Sequence, residues 1–124
     1  MNMAAASVAF DAPDNYASVA PSRARPIDLV HLARQTSGDK NLELEVLNIF
    51  ARQARNCMAE LSSTANDNRS AIAHRLKGAA LAIGAFSVST VAEKVENDAD
   101  DAAALAMLGA AVIEAENFIL KLSR

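Results

Sequence analysis

The chain is short of the residues that build strands, cross-links or charged binding faces. Trp is absent, and the 124 residues include only four Phe, one Tyr, four Gly and three Pro. Alanine takes their place, which raises helix propensity and lowers strand propensity along the whole length. A single cysteine, Cys57, excludes an internal disulfide and a zinc site built from several thiolates. The net charge is −3 and no segment concentrates Lys and Arg. The basic stripe of a nucleic-acid binder is therefore missing. No run is expected to approach the roughly 20 apolar residues that span a bilayer. Residues 1–10 are apolar but have no preceding positive charge, and read as a poor signal peptide. These absences leave one cytoplasmic helical domain as the expectation, with no nucleic acid and no membrane among its partners.

What is present is helical periodicity. Residues 1–25 mix Ala, Ser, Pro, Asp and Asn without period and read as a disordered N-terminal tail. Residues 26–124 read as the folded domain. Asp28 can cap a short helix over 29–35, and Gly38 supplies a break after it. A long helix is predicted over 41–63, with Leu47, Phe50, Ala54, Cys57, Met58 and Leu61 on one face. A polar turn at 65–68, with Asp67 or Asn68 as cap, leads to a third helix over 69–83. A fourth covers 87–98 and carries Val88, Val91, Ala92 and Val95. The last covers 102–122, with Leu105, Leu108, Val112, Ala115, Ile119 and Leu122 as its seam. The fold class is all-α: an antiparallel four-helix bundle with a short additional N-terminal helix.

The third helix contains an anomaly. At roughly 100° per residue, Ile72, Leu76, Ala79, Ala80 and Ile83 cluster towards the core, and His74 projects almost opposite them. Around it lie Ser70, Ala71, Gly78, Leu81 and Ala85 in place of the charges that usually cover a solvated face. An apolar surface of this kind is a docking surface. Gly78 costs about 1 kcal/mol relative to Ala inside a helix. A missing side chain four residues after His74 would leave the imidazole open to something bulky, although close helix packing would also call for glycine. Lys77 puts a mobile cation beside the same space, fit to balance a phosphoryl charge. The unperturbed histidine pKa of about 6.5 makes a neutral, nucleophilic ring nitrogen available at cell pH.

His74-Arg75-Leu76-Lys77-Gly78, followed by Gly84-Ala85, resembles the signature of the histidine-containing phosphotransfer (HPt) domain family. Asp28, the Gly38-Asp39 break, Phe50, Ala73 and Val95-Glu96 fit that family's layout over about residues 26–122. Phe86 and Val88 depart from the commonest pattern, but both changes are apolar. The resemblance implies a stand-alone phosphorelay protein in which His74 is the phospho-acceptor through Nε2. It also implies that Lys77 stabilises phosphate charge, Gly78 keeps the approach clear and Glu96 orients the imidazole from the next helix, with Glu93 a weaker candidate. The implied partners are receiver domains of response regulators and of hybrid histidine kinases. No cofactor is expected in this chain, and Mg²⁺ is expected in the receiver. Ser70, Ala71, Arg75, Leu81 and Ala85 would form the docking face, with Ser87 and Ser89 on its rim. The chain would be a monomer and a phosphocarrier without ATP-dependent kinase activity.

Other residues have plainer readings. His31 has no partner motif, and Cys57 reads as a small buried hydrophobe. Gly84 and Ala85 also read as the structural end of the third helix. Asp98, Asp100 and Asp101 suit the positive pole of the helix that follows. Two alternatives compete with phosphotransfer: a non-catalytic interaction module, and the acceptor domain of a histidine kinase. Against the latter, Arg75 stands where an acidic residue is typical, and no Pro follows Pro26. A metal-binding bundle is poorly served by two histidines on different helices.

Overall fold

Aspartate caps set the start of three of the described helices. The computed structural model describes residues 25–63 and 66–123, except for the side chains of 66 and 67. The expected disordered tail lies outside the described residues apart from Arg25. Asp28 Oδ1 accepts from the amides of Val30 (3.0 Å) and His31 (3.2 Å), starting α1, Leu29–Gln35. Two successive positive-φ residues, Ser37 (54°) and Gly38 (76°), then turn the chain. Asp39 Oδ1 accepts from the Leu42 amide at 3.1 Å and opens α2, Lys40–Ser63. Glu43, buried in the first turn of α2, accepts from the hydroxyl of Thr36 (3.3 Å) and the ammonium of Lys40 (3.4 Å).

α3 spans Asn66–Ile83, beginning three residues before its predicted start. Positions 67 and 68, expected to cap it, lie inside its first turn. Short polar residues suit the turn before a helix and its first turn equally well, so composition does not separate the two. The other end is sharply defined. The Ala85 amide donates to Ala80 O (2.9 Å) and the Gly84 amide to Leu81 O (3.4 Å), with Gly84 at φ 84°. This is the paired closure that a left-handed glycine permits. α4 (Phe86–Asn97) and α5 (Ala102–Leu122) follow, the latter capped by Asp101 Oδ1 on the Ala104 amide.

α2 packs against α3 and α5, and α4 packs against the same two, so α3 and α5 sit diagonally across an antiparallel four-helix bundle. The predicted stripes form the core. Leu47, Phe50, Ala54, Cys57 and Leu61 of α2 meet Ile72, Leu76, Ala80 and Ile83 of α3, and Val88, Ala92 and Val95 of α4 meet Leu108, Val112, Ala115 and Ile119 of α5. Each buried Leu, Ile or Val contributes roughly 1.5–3 kcal/mol. Leu122, predicted to belong to the seam, is exposed, because the last turn of α5 extends beyond the packed core.

α1 is fastened across the α3–α4 turn. The Asp28 amide donates to Gly84 O at 2.9 Å, His31 Nε2 lies 3.2 Å from Ala82 O, and the His31 ring meets Phe86 edge-on at 5.3 Å. A Cβ on Gly84 would stand 3.0 Å from Asp28 O. Glycine is required there by both its φ and its neighbour.

α5 corrects one expectation. Its 21 residues, with mean hydropathy 1.6 over the most apolar window, are long and apolar enough to cross a membrane by length and composition. Its runs of Ala and Leu are broken by few charges, and only one stripe of them faces the core.

Candidate histidine site

The packing of α3 determines what His74 can do. Ile72, Ala73, Leu76, Ala80 and Ile83 turn inward, which leaves His74 on the opposite side with 67% of its side chain exposed. α4 runs alongside, and its last turn is fixed to α3 by the Ser70 hydroxyl donating to Glu96 O at 2.8 Å. That bond brings the Glu96 carboxylate between two α3 side chains. Its Oε2 lies 2.7 Å from His74 Nδ1, and its Oε1 lies 2.8 Å from Lys77 Nζ.

The charges follow from this geometry. The Lys77 ammonium first, and the His74 hydrogen bond second, hold the Glu96 carboxyl below its usual range. The same carboxylate pushes the Lys77 ammonium up. Glu96 is therefore ionised at neutral pH, and an ionised carboxylate can only accept. His74 Nδ1 must donate, so in the neutral ring the lone pair sits on Nε2. This tautomer is assigned from the hydrogen-bond network. The result is an exposed imidazole with a fixed orientation, an available distal nitrogen and a cation one turn away.

The remaining residues fall into place around it. Beyond its chain neighbours and the backbone of its own helix, nothing lies within 4 Å of where a Cβ on Gly78 would stand, so packing against another helix does not explain this glycine. Ala71 and Leu81 are exposed on the same helix. Arg75, also exposed, turns towards α2, pairs with Glu60 at 2.8 Å and approaches Cys57 Sγ at 3.7 Å. It borders a cleft of about 230 Å³ between α2 and α3, lined in part by Gln53, Asn56 and Leu76. Ser70 is half-buried, its hydroxyl committed to the α4 backbone.

Two expected docking residues do not reach the surface. Ala85 is fully buried, because the left-handed Gly84 ends α3 and directs the next residue into the core. Ser89, expected on the rim, is buried on α4 with its hydroxyl donating to Phe86 O at 3.0 Å. Glu93 is not the carboxylate that holds the ring; its charge adds only to the field raising Lys77. Asp98 and Asp101 accept from amides of their own turn and of α5. Among the described residues, no group of three or more His, Cys, Asp or Glu is placed to hold a metal ion.

Sequence reasoning missed the Lys77–Glu96 and Arg75–Glu60 ion pairs and the anchoring role of Ser70. Each joins two helices, and no single-helix periodicity carries that signal.

A family model described as Hpt domain matches residues 45–118, from early α2 to near the end of α5. The chain belongs to the Hpt domain family. No curated protein and no solved structure matches it. The matched span of this Hpt domain contains His74, Lys77, Gly78 and Glu96, and leaves α1 outside. Hpt domains carry phosphoryl groups in two-component phosphorelays and generally interact with receiver domains of response regulators. They are phosphocarriers rather than kinases.

Proposed function

We propose that His74 Nε2 accepts a phosphoryl group from the phospho-aspartate of one receiver domain and returns it to the aspartate of another. The observation that carries this reading is the Nδ1···Glu96 contact, which leaves Nε2 as the exposed nucleophile. In the forward step the Nε2 lone pair forms the N–P bond while the aspartyl O–P bond breaks. The receiver carboxylate leaves with the bonding pair. Nδ1 keeps its hydrogen throughout, so the phosphorylated ring gains positive character that the Glu96 carboxylate faces directly. The reverse step restores the neutral ring.

Lys77 balances charge on the phosphoryl oxygens, for which it turns from Glu96 by rotation of its flexible stem. Phosphoryl transfer depends mainly on positioning and charge stabilisation, so no strong base is needed here. A divalent cation bound by the receiver would supply further neutralisation from the partner's side. Gly78 leaves room for the receiver, and Ala71, Arg75, Leu81 and Ser87 form its landing surface. The donors and recipients in this proposal are response regulators and hybrid histidine kinases, acting in the cytoplasm.

The test is transfer from phosphorylated receiver domains to the wild type and to His74→Gln. Acid-labile label on the wild type alone is the expected result. Label on both proteins would move the chemistry to another residue. Label on neither, with the fold intact by circular dichroism, would favour an interaction module without chemistry.

A further inference from the structure

The outward face of α5 carries little charge for a surface left to water. Ala103, Ala106, Ala110, Ile113, Asn117 and Leu120 recur along it at intervals of three and four, all exposed. Ile113 is 57% exposed, Leu120 59%, and Met107 beside them 48%. The charged residues within α5 are Glu114, Glu116 and Lys121, and Glu116 is already engaged by Arg55 of α2. A contiguous apolar strip of this kind marks a contact surface.

The order of residues along the strip indicates what covers it. The bulky side chains lie in its second half and the alanines in its first. Lay two copies antiparallel about an axis between Ala111 and Val112. Leu120 then faces Ala103, Asn117 faces Ala106 and Ile113 faces Ala110, each larger side chain meeting a small one. The same alignment brings Lys121 of each copy to Asp100 and Asp101 at the start of the other's α5. A parallel alignment would set Leu120 on Leu120 and leave the alanines facing one another across a gap. Large-to-small matching and opposite charges at both ends therefore select one arrangement, and a twofold axis makes it self-complementary.

We propose that the outward face of α5 is the interface of a symmetric, antiparallel homodimer, in place of the monomer expected from the sequence. α5 is diagonal to α3 in the bundle, so both copies of His74 face away from the seam. The dimer presents two phosphoryl-carrying faces on opposite sides, and neither is covered by association. The proposal rests on α5 alone and stands apart from the phosphotransfer reading. A helix of this length is about 30 Å long. A single-helix seam of this length belongs at the lower end of specific interfaces, whose total buried area starts at about 1,200 Å², and association should depend on concentration.

The test is the solution mass of the full chain by analytical ultracentrifugation, from about 1 μM to about 1 mM. The expected result is a mass that doubles over this range. Ile113→Glu, folded by circular dichroism, should raise the dissociation constant at least about tenfold. Lys121→Glu should weaken the dimer, and adding Asp100→Lys should restore it. A wild type that stays monomeric throughout overturns the proposal. A dimer indifferent to Ile113→Glu places the interface elsewhere, and failure of the double variant to recover rules out the antiparallel register. A monomer that instead co-sediments with phosphatidylcholine–phosphatidylglycerol vesicles would replace the second copy with a bilayer.

Discussion

Replacing Glu96 with Ala removes the acceptor of Nδ1 and the partner of Lys77 in one change. The backbone carbonyl that Ser70 grips is untouched, so α4 should stay where it is. The ring loses its orientation, and the neutral imidazole can place its hydrogen on either nitrogen. Carboxylates that hold the second nitrogen of a metal-bound histidine typically carry roughly 10–100-fold in affinity or activity, and that range sets the scale for orienting a ring in this way. His74 is largely exposed, and water can replace part of the lost contact. We therefore expect the lower end, a drop of about tenfold in the rate of transfer from a phosphorylated receiver. Glu96→Gln, which keeps an oxygen for Nδ1–H but loses the charge, should fall between the two, since a charged acceptor is about twice as strong as a neutral one. Rapid-quench kinetics would give the rates. Nitrogen chemical shifts of His74 would report the tautomer independently. A Glu96→Ala protein with wild-type rate and an unchanged Nδ1–H tautomer would refute the reasoning.

Three further outcomes follow from the same geometry. Gly78→Ala should raise stability by about 0.5–1 kcal/mol, because the helix gains a better former and the added methyl meets nothing from the rest of the bundle. The same variant should transfer phosphate more slowly; thermal denaturation and transfer rates test the two halves. Gly84→Ala should cost more than about 1 kcal/mol, because it combines a positive φ with a contact to Asp28 O, and its melting curve should shift down by several degrees. Glu96 has a folded-state pKa below its ordinary value near 4.5, so its stabilising contribution is full above that value and is lost as pH falls through the depressed one. Lys77, raised above 10.5, contributes below that value and loses its share as pH climbs through the raised one. Urea denaturation between about pH 5 and pH 3 should therefore weaken the wild type more than Glu96→Gln.

Much of this architecture was legible because it is local. The cap at Asp28, the acidic turn before α5, the glycine at 84 and the three-and-four spacing of each stripe are properties of single helices, and the observed bounds follow them closely. His74 stood out because it breaks the pattern of its own helix. What depends on two helices was less legible. Glu96 could be named only through a family resemblance, since nothing in a 22-residue separation says that two side chains meet. Ala85 and Ser89 were misplaced because a wheel drawn through α3, or a count of polar residues along α4, cannot know that Gly84 redirects the chain or that a serine hydroxyl bonds to its own helix.

The grip of Ser70 on α4, together with the closed turn at Gly84, has a consequence for engineering. The contacts that define the ring's orientation lie between Ser70 and Glu96, within one hairpin pinned at both ends. A cut or an insertion at 98–101 should leave the imidazole geometry alone. The α3–α4 hairpin is thus a transplantable part, and a host bundle would need only a matching inner face to receive it.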